Sequence, residues 1–179
     1  MKQFLLIAGC LFSIVAIGQK EVVSAYNANK EGDYREAATY IEQAILIEKS
    51  SIKDKVWRYR GEIYLNISND SAVSIEYPNA LRTAMESYLK AQELDIKARY
   101  VDEIRFGLAK VQTKANSIGI QNYTSGVFDQ AGVSFDLAAE IARVFEIVDT
   151  MAVYNAALCY EKADLNDMAI ERYLDCAKI

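Results

Sequence analysis

Four segments of the chain share one pattern of apolar positions. In each, a small residue is followed by a large one four positions later and by another small one three positions after that. The copies are Ala37-x3-Ile41-x2-Ala44, Ala84-x3-Tyr88-x2-Ala91, Ala131-x3-Phe135-x2-Ala138 and Ala169-x3-Tyr173-x2-Cys176. Residues four and seven apart share one face of an α-helix, and small residues let a partner helix approach closely. Each segment is therefore predicted to be a helix that packs on another helix.

A second helical pattern precedes each of these segments. It is clearest in WRYRGEIY, residues 57–64, where Gly61 is the residue of close contact; the corresponding small residues are Ala25, Gly119 and Ala157. Gly32, Gly126 and Asp164 stand between the two helices of their copies, where a helix commonly ends in the left-handed conformation. Asp33 follows as a predicted N-cap. The chain is thus predicted to be all-α and to contain about four helix pairs.

Two of the copies contain extra residues. The stretch LNISNDSAVSIEYPNA, around residues 65–80, is rich in Ser, Asn and Asp and includes the only proline, so it is predicted to be a long loop. In the third copy, apolar residues alternate three and four apart over about 99–124, which predicts one long amphipathic helix. Those residues are Val101, Ile104, Leu108, Val111, Ala115 and Ile118.

The first eighteen residues have the features of a secretory signal peptide. Lys2 precedes an apolar run from Phe4 to Ile17, and the small residues Ala16 and Gly18 predict cleavage before Gln19. A second interpretation is a lipid anchor, since Ile7-Ala8-Gly9-Cys10 resembles a lipobox and would attach the chain to a membrane through Cys10. Against it, the apolar run continues for seven residues beyond this cysteine, whereas a lipoprotein normally turns polar there.

Composition narrows the functional classes. The net charge of −5 argues against nucleic acid as the main partner, because phosphate binding requires a basic surface. The chain contains no histidine, which removes the commonest general base and most zinc sites and argues against an enzyme. Neither a metal nor a cofactor is expected. Cys159 and Cys176 are predicted to be small core residues, too far apart along antiparallel helices for a relaxed disulfide.

These residues resemble the tetratricopeptide repeat, whose signature is W-x2-L-G-x2-Y followed by A-x3-F over about 34 residues. The second copy matches best and departs at Arg60, where Leu is usual and where the stem of Arg is expected to cover the core with its charge in water. The alanines at 37, 84, 131 and 169 are spaced 47, 47 and 38 residues apart, wider than in the family. The resemblance implies an α-α solenoid over residues 19–179, with repeats at about 20–49, 54–96, 99–143 and 150–179.

The same resemblance implies the function of a scaffold that holds a peptide or protein segment in a concave groove. The family's groove positions lie on the first helix of each repeat. The predicted binding residues are Tyr26, Asn29, Arg58, Glu62, Asn116, Tyr123 and Tyr154, and Val22, Ile120, Leu158 and Glu161 occupy further groove positions. The alternative for each tyrosine is that it only packs against the next helix.

Two functional hypotheses follow. The first is an exported scaffold, in the periplasm or at the outer membrane, because the form of the leader is typical of bacteria. The second is that the repeats are the N-terminal region of a larger exported protein with an effector or catalytic domain beyond residue 179. Ile170, Tyr173, Leu174 and Ala177 form an apolar stripe in the last helix, which predicts an incomplete C-terminal repeat and self-association.

Overall fold

Helices make up all of the regular structure in residues 19–178, the range that this computed structural model describes. Residues 19–31 form α1, and a 3-10 turn at Ser74–Glu76 lies between α4 and α5. The other helices are α2 (Tyr34–Ile45), α3 (Glu48–Ser51), α4 (Asp54–Asn69), α5 (Ala80–Leu94), α6 (Val101–Thr124), α7 (Phe128–Val144), α8 (Thr150–Lys162) and α9 (Asn166–Ala177). The predictions of an all-α fold and of a long first helix in the third pair are confirmed. The predicted signal peptide and Cys10 lie outside the described residues.

The chain divides into two compact units, and the boundary falls between Gly107 and Leu108 within α6. In the first unit, α4 packs along α5 and also against α2. In the second unit, α8 packs against both α7 and α9. Among the described helices, none combines the length and the apolar character needed to cross a membrane.

Four helices end in the same backbone motif. An N–H group two or three residues after the helix donates to a carbonyl five positions earlier, as Asp33 does to Ala28 at 2.9 Å and Leu165 does to Tyr160 at 2.9 Å. The residue before that N–H group has a positive φ: Gly32 (83°), Gly126 (77°), Glu146 (59°) and Asp164 (60°). This is the Schellman motif, which satisfies carbonyls left open at the helix end. The turns predicted at Gly32, Gly126 and Asp164 are therefore confirmed.

Large rings fill the space beside glycines, as the repeat pattern predicts. A Cβ atom on Gly61 would lie 2.9 Å from three ring atoms of Tyr88, and one on Gly119 would lie 2.9 Å from the ring of Phe135. Real Cβ atoms do not approach rings this closely, so these two helix pairs each require a residue without a side chain at the point where the helices cross. Tyr160 makes the same kind of contact with Gly132, which the sequence pattern did not indicate.

The loop predicted at residues 65–80 is shorter than expected. Helix α4 continues to Asn69, because Leu65 and Ile67 are buried and the polar residues beside them complete the helix. The side chains of Ser68 and Asn69 donate to the Leu65 carbonyl at 2.6 and 3.0 Å. The segment that follows is held in place by an ion pair between Arg35 and Glu76.

Arg60 does not keep its charge in water. Its Nε atom donates to Glu42 Oε1 at 2.8 Å, and Nη1 donates to Ser87 Oγ at 2.7 Å. Tyr64 donates to the same carboxylate oxygen at 2.8 Å. The expectation of a solvated Arg60 is wrong, because its carboxylate and hydroxyl partners lie within reach on α2 and α5.

Both cysteines in the described residues are free thiols, as predicted. Cys159 is buried, and burial raises the pKa of its thiol to about 11. Cys176 is only half-buried, so the prediction that it is a core residue is wrong.

Candidate functional site

An apolar pocket opens in the second unit between the first helices of the third and fourth repeats. It has a volume of about 240 Å³ and is lined by Ile120, Tyr123, Phe135, Asn155, Leu158 and Cys159. The aromatic and aliphatic side chains make its walls mostly apolar, and the Asn155 amide provides both hydrogen-bond donors and an acceptor. Of the residues predicted to bind, Tyr123 lines this pocket, as do Ile120 and Leu158 at two of the further groove positions.

The small residues of the repeat create this pocket. Gly119 lets Phe135 of α7 reach the side of α6, so that its ring forms one wall. Tyr123, one turn further along α6, packs edge-on against Phe128, with ring centroids 5.4 Å apart. The ammonium group of Lys162 lies 5.8 Å from the centroid of Tyr123. Contacts with neighbouring residues therefore hold Phe135 and Tyr123 in position at the pocket wall.

Tyr154 lies one residue before Asn155 on α8 and is 47% exposed. Its ring packs edge-on against Tyr173 of α9, with centroids 6.0 Å apart. Tyr173 in turn donates from its hydroxyl group to Glu161 Oε2 at 2.6 Å, and this hydrogen bond is the main reason that its pKa rises to about 12. Tyr154 is thus oriented on one side while nearly half of its surface stays open.

The predicted binding residues of the first unit differ in exposure. Tyr26 is half-buried and stacks on Tyr59, with ring centroids 5.0 Å apart and the planes at 28°. Glu62 is exposed on α4. In the second unit, Asn116 is half-buried and lies one turn before Ile120 on α6, outside the pocket lining.

Arg58 and Asn29 have partners inside the first unit. The guanidinium of Arg58 lies 3.7 Å from the ring centroid of Tyr100 and pairs with Asp54 at 3.1 Å and with Glu103 at 2.5 Å. Its side chain is only 7% exposed. Asn29 is 9% exposed and accepts a hydrogen bond from Asn66 at 3.0 Å. These two side chains present little surface to a partner.

Sequence reasoning missed several residues of the site. Asn155 and Cys159 line the pocket. In the first unit, Lys30 and Tyr59 contact Tyr26, and Lys55 lies over the ring of Tyr59. The signal for Asn155 was available, since Asn155, Leu158 and Lys162 share one face of α8 at helical spacing. Residues 19–178 contain no cluster of three acidic or thiol side chains arranged to hold a metal ion.

A scan against protein-family models finds no match, and a search of curated proteins finds no significant relative. Among solved structures, the chain is similar to one described as the crystal structure of MamA protein. That match has 13% sequence identity, covers 90% of this chain and 91% of that chain, and has a TM-score of 0.33. Because the TM-score is so low, the match does not assign a fold or a function to this chain.

Proposed function

We propose that the chain is an exported scaffold of tetratricopeptide type that binds a segment of a partner protein and has no catalytic activity of its own. The observation that carries this proposal is the apolar pocket of the second unit, which includes Ile120, Tyr123 and Leu158. These side chains lie at positions that the family resemblance assigns to ligand contact. Tyr154, beside the pocket, supplies an exposed aromatic surface.

The size and chemistry of the pocket favour a peptide side chain as its occupant. Its volume of about 240 Å³ is below the roughly 300–1,000 Å³ of sites for drug-sized ligands. One large apolar side chain of a partner fits that space, with its ring or branched end against Phe135 and Leu158. The Asn155 amide then lies where it can bond to the partner's main chain. Buried aromatic and aliphatic anchors of this kind dominate the energetics of many interfaces.

The proposal is tested by Ile120→Ser, with Val133→Ser as the matched control. Ile120 lines the pocket and is 59% exposed, while Val133 on α7 is 54% exposed and does not line it. Both changes remove an exposed apolar side chain, so neither should lower the melting temperature much. A partner captured by the wild-type chain should bind Ile120→Ser roughly tenfold or more weakly and Val133→Ser normally. Equal affinity for the two variants would refute the pocket as a binding site.

Export is the second element of the proposal and depends on the leader-like sequence of residues 1–18. Intact-mass measurement of protein from a secreting bacterial host should give a chain that begins at Gln19. A lipid-modified Cys10 would establish the anchored form instead. A mass that retains residues 1–18 without modification would refute export by this leader.

One observation favours the alternative that the repeats continue, in a larger exported protein or through self-association. Helix α9 presents an exposed apolar stripe that includes Ile170, 57% exposed, and Leu174, 55% exposed. In a repeat array, such a face is covered by the next helix. Sedimentation should show self-association that Leu174→Glu abolishes. A wild-type chain that stays monomeric at high concentration would count against self-association through this stripe.

A further inference from the structure

Two lysines flank a pair of stacked tyrosines on α1 and α4 of the first unit. Tyr26 on α1 stacks on Tyr59 on α4, the ammonium of Lys30 lies 5.2 Å from the ring centroid of Tyr26, and that of Lys55 lies 5.2 Å from the ring centroid of Tyr59. We call these four side chains the lysine–tyrosine row. Lys30 is four residues after its tyrosine and Lys55 is four residues before its own, so each pair shares a helix face.

The row differs from the other cationic sites described in the same unit. Arg35, Arg58 and Arg60 each pair with a carboxylate. Within residues 19–178, neither Lys30 nor Lys55 has a carboxylate partner at ion-pair distance; each lies over an aromatic face instead. Both lysines are exposed. The rings restrict the two side chains, so less conformational entropy is lost when a ligand orders them.

We propose that the lysine–tyrosine row is a second recognition surface and that it binds acidic side chains within an internal segment of the partner protein. This inference names the partner chemistry and so rests on the scaffold function, but it does not depend on the apolar pocket. Two ammonium groups at the ends of a stacked aromatic pair match two carboxylates with an apolar or aromatic residue between them.

The charge of the chain favours a peptide over nucleic acid as this ligand. Tight binding to nucleic acid usually requires several cations that neutralise consecutive phosphates. The row offers two cations in a chain whose net charge is −5. One acidic residue, Glu62, lies close enough to act on the charge of Lys30. The negative charge of Glu62 would weaken the attraction of the row for an anion. Removing this charge is therefore expected to have the opposite effect to removing the lysine charges.

The test is selection from a random dodecapeptide phage library on the purified chain. Peptides enriched by the wild-type chain should carry two Asp or Glu residues with an apolar residue between them. The double variant Lys30→Gln/Lys55→Gln should lose this acidic preference. Glu62→Gln should keep or strengthen it. The substitutions are on exposed side chains, and circular dichroism confirms that each variant is folded.

Affinities are then measured by fluorescence anisotropy with one enriched peptide, acetylated and amidated so that its termini carry no charge. Each single lysine substitution should weaken binding about threefold. Raising the salt from about 0.05 M to about 0.5 M should weaken wild-type binding more than it weakens binding to the double variant.

The outcomes separate the two proposals. Enriched peptides without an acidic excess, or with the same excess on the double variant, would overturn the lysine–tyrosine row and leave the scaffold function intact. Ile120→Ser should retain the acidic preference, because the row does not include the pocket. A wild-type chain that enriches no peptide would overturn the row together with peptide binding as such.

Discussion

The ring of Tyr88 lies directly against the backbone of Gly61, so that a Cβ atom there would come within 2.9 Å of three ring atoms. Tyr88 is 5% exposed, and Gly107 of α6 also lies against its ring, where a Cβ atom would be 2.6 Å from Cε1. The ring is therefore enclosed and contacts two glycines. Residues of α4, α5 and α6 meet at this one side chain.

Gly61→Ala should destabilise the chain by about 1 to 3 kcal/mol, because the added methyl group overpacks a ring that has no space to shift. In a Tyr88→Leu background the same change should cost less, since the smaller side chain leaves room. Chemical denaturation of the four proteins of this cycle gives the coupling energy. Additive effects would show that the glycine is not required by the ring.

The turns that end α6 and α8 provide a reciprocal exchange. Gly126 and Asp164 both have positive φ in the same backbone motif, but only glycine adopts that conformation without a steric cost. Asp164→Gly should raise stability by about 0.5 to 1 kcal/mol, and Gly126→Asp should lower it by a similar amount. Thermal melts of the two variants would reject this explanation if the shifts had the same sign.

Arg58→Ala should destabilise the fold by about 2 kcal/mol, because it leaves Asp54 without its partner and exposes the ring of Tyr100. Arg35→Ala is the control, since Arg35 and Glu76 form an exposed pair that should contribute little to stability. The denaturant concentrations at the unfolding midpoints of the two variants should therefore differ. An Arg58→Ala chain as stable as Arg35→Ala would mean that Arg58 is free to contact a partner, as the family resemblance implied.

The helices and turns could be predicted from the sequence more completely than the exposure of individual side chains. Helix pairs, the long α6 and the turn residues follow from periodicity and from backbone preferences, which are local properties. The exposure of Arg58 depends on Glu103 and Tyr100, more than forty positions away, and no spacing rule indicates that these residues meet. Likewise, the end of α4 depends on the burial of Leu65 and Ile67 by other helices, which outweighs their polar neighbours.

Stability should fall at alkaline pH through a buried tyrosine. The pKa of Tyr160 is raised, first by burial and then by Asp136, whose Oδ2 atom accepts a hydrogen bond from the hydroxyl group at 2.8 Å. Below about pH 10 the Tyr160 hydroxyl is protonated in both the folded and the unfolded chain. Above that pH the hydroxyl ionises in the unfolded chain only. This difference favours unfolding by up to about 1.4 kcal/mol per pH unit. Tyr160→Phe should be less stable at pH 7 but should lose stability less steeply above pH 10. If the melting temperatures of the two proteins fell equally steeply as the pH rose above 10, this linkage would be contradicted.

The most direct test of the scaffold function is photo-crosslinking from the edge of the pocket. p-Benzoylphenylalanine is placed at position 154, where the native tyrosine is 47% exposed beside the pocket, and in a second protein at position 133, which is 54% exposed on α7 and does not line the pocket. Irradiation in the native compartment should give a discrete covalent adduct with one partner protein from position 154 only, and Ile120→Ser should abolish it. Adducts of equal yield from both positions, or none from position 154, would contradict the assignment of this pocket as the binding site.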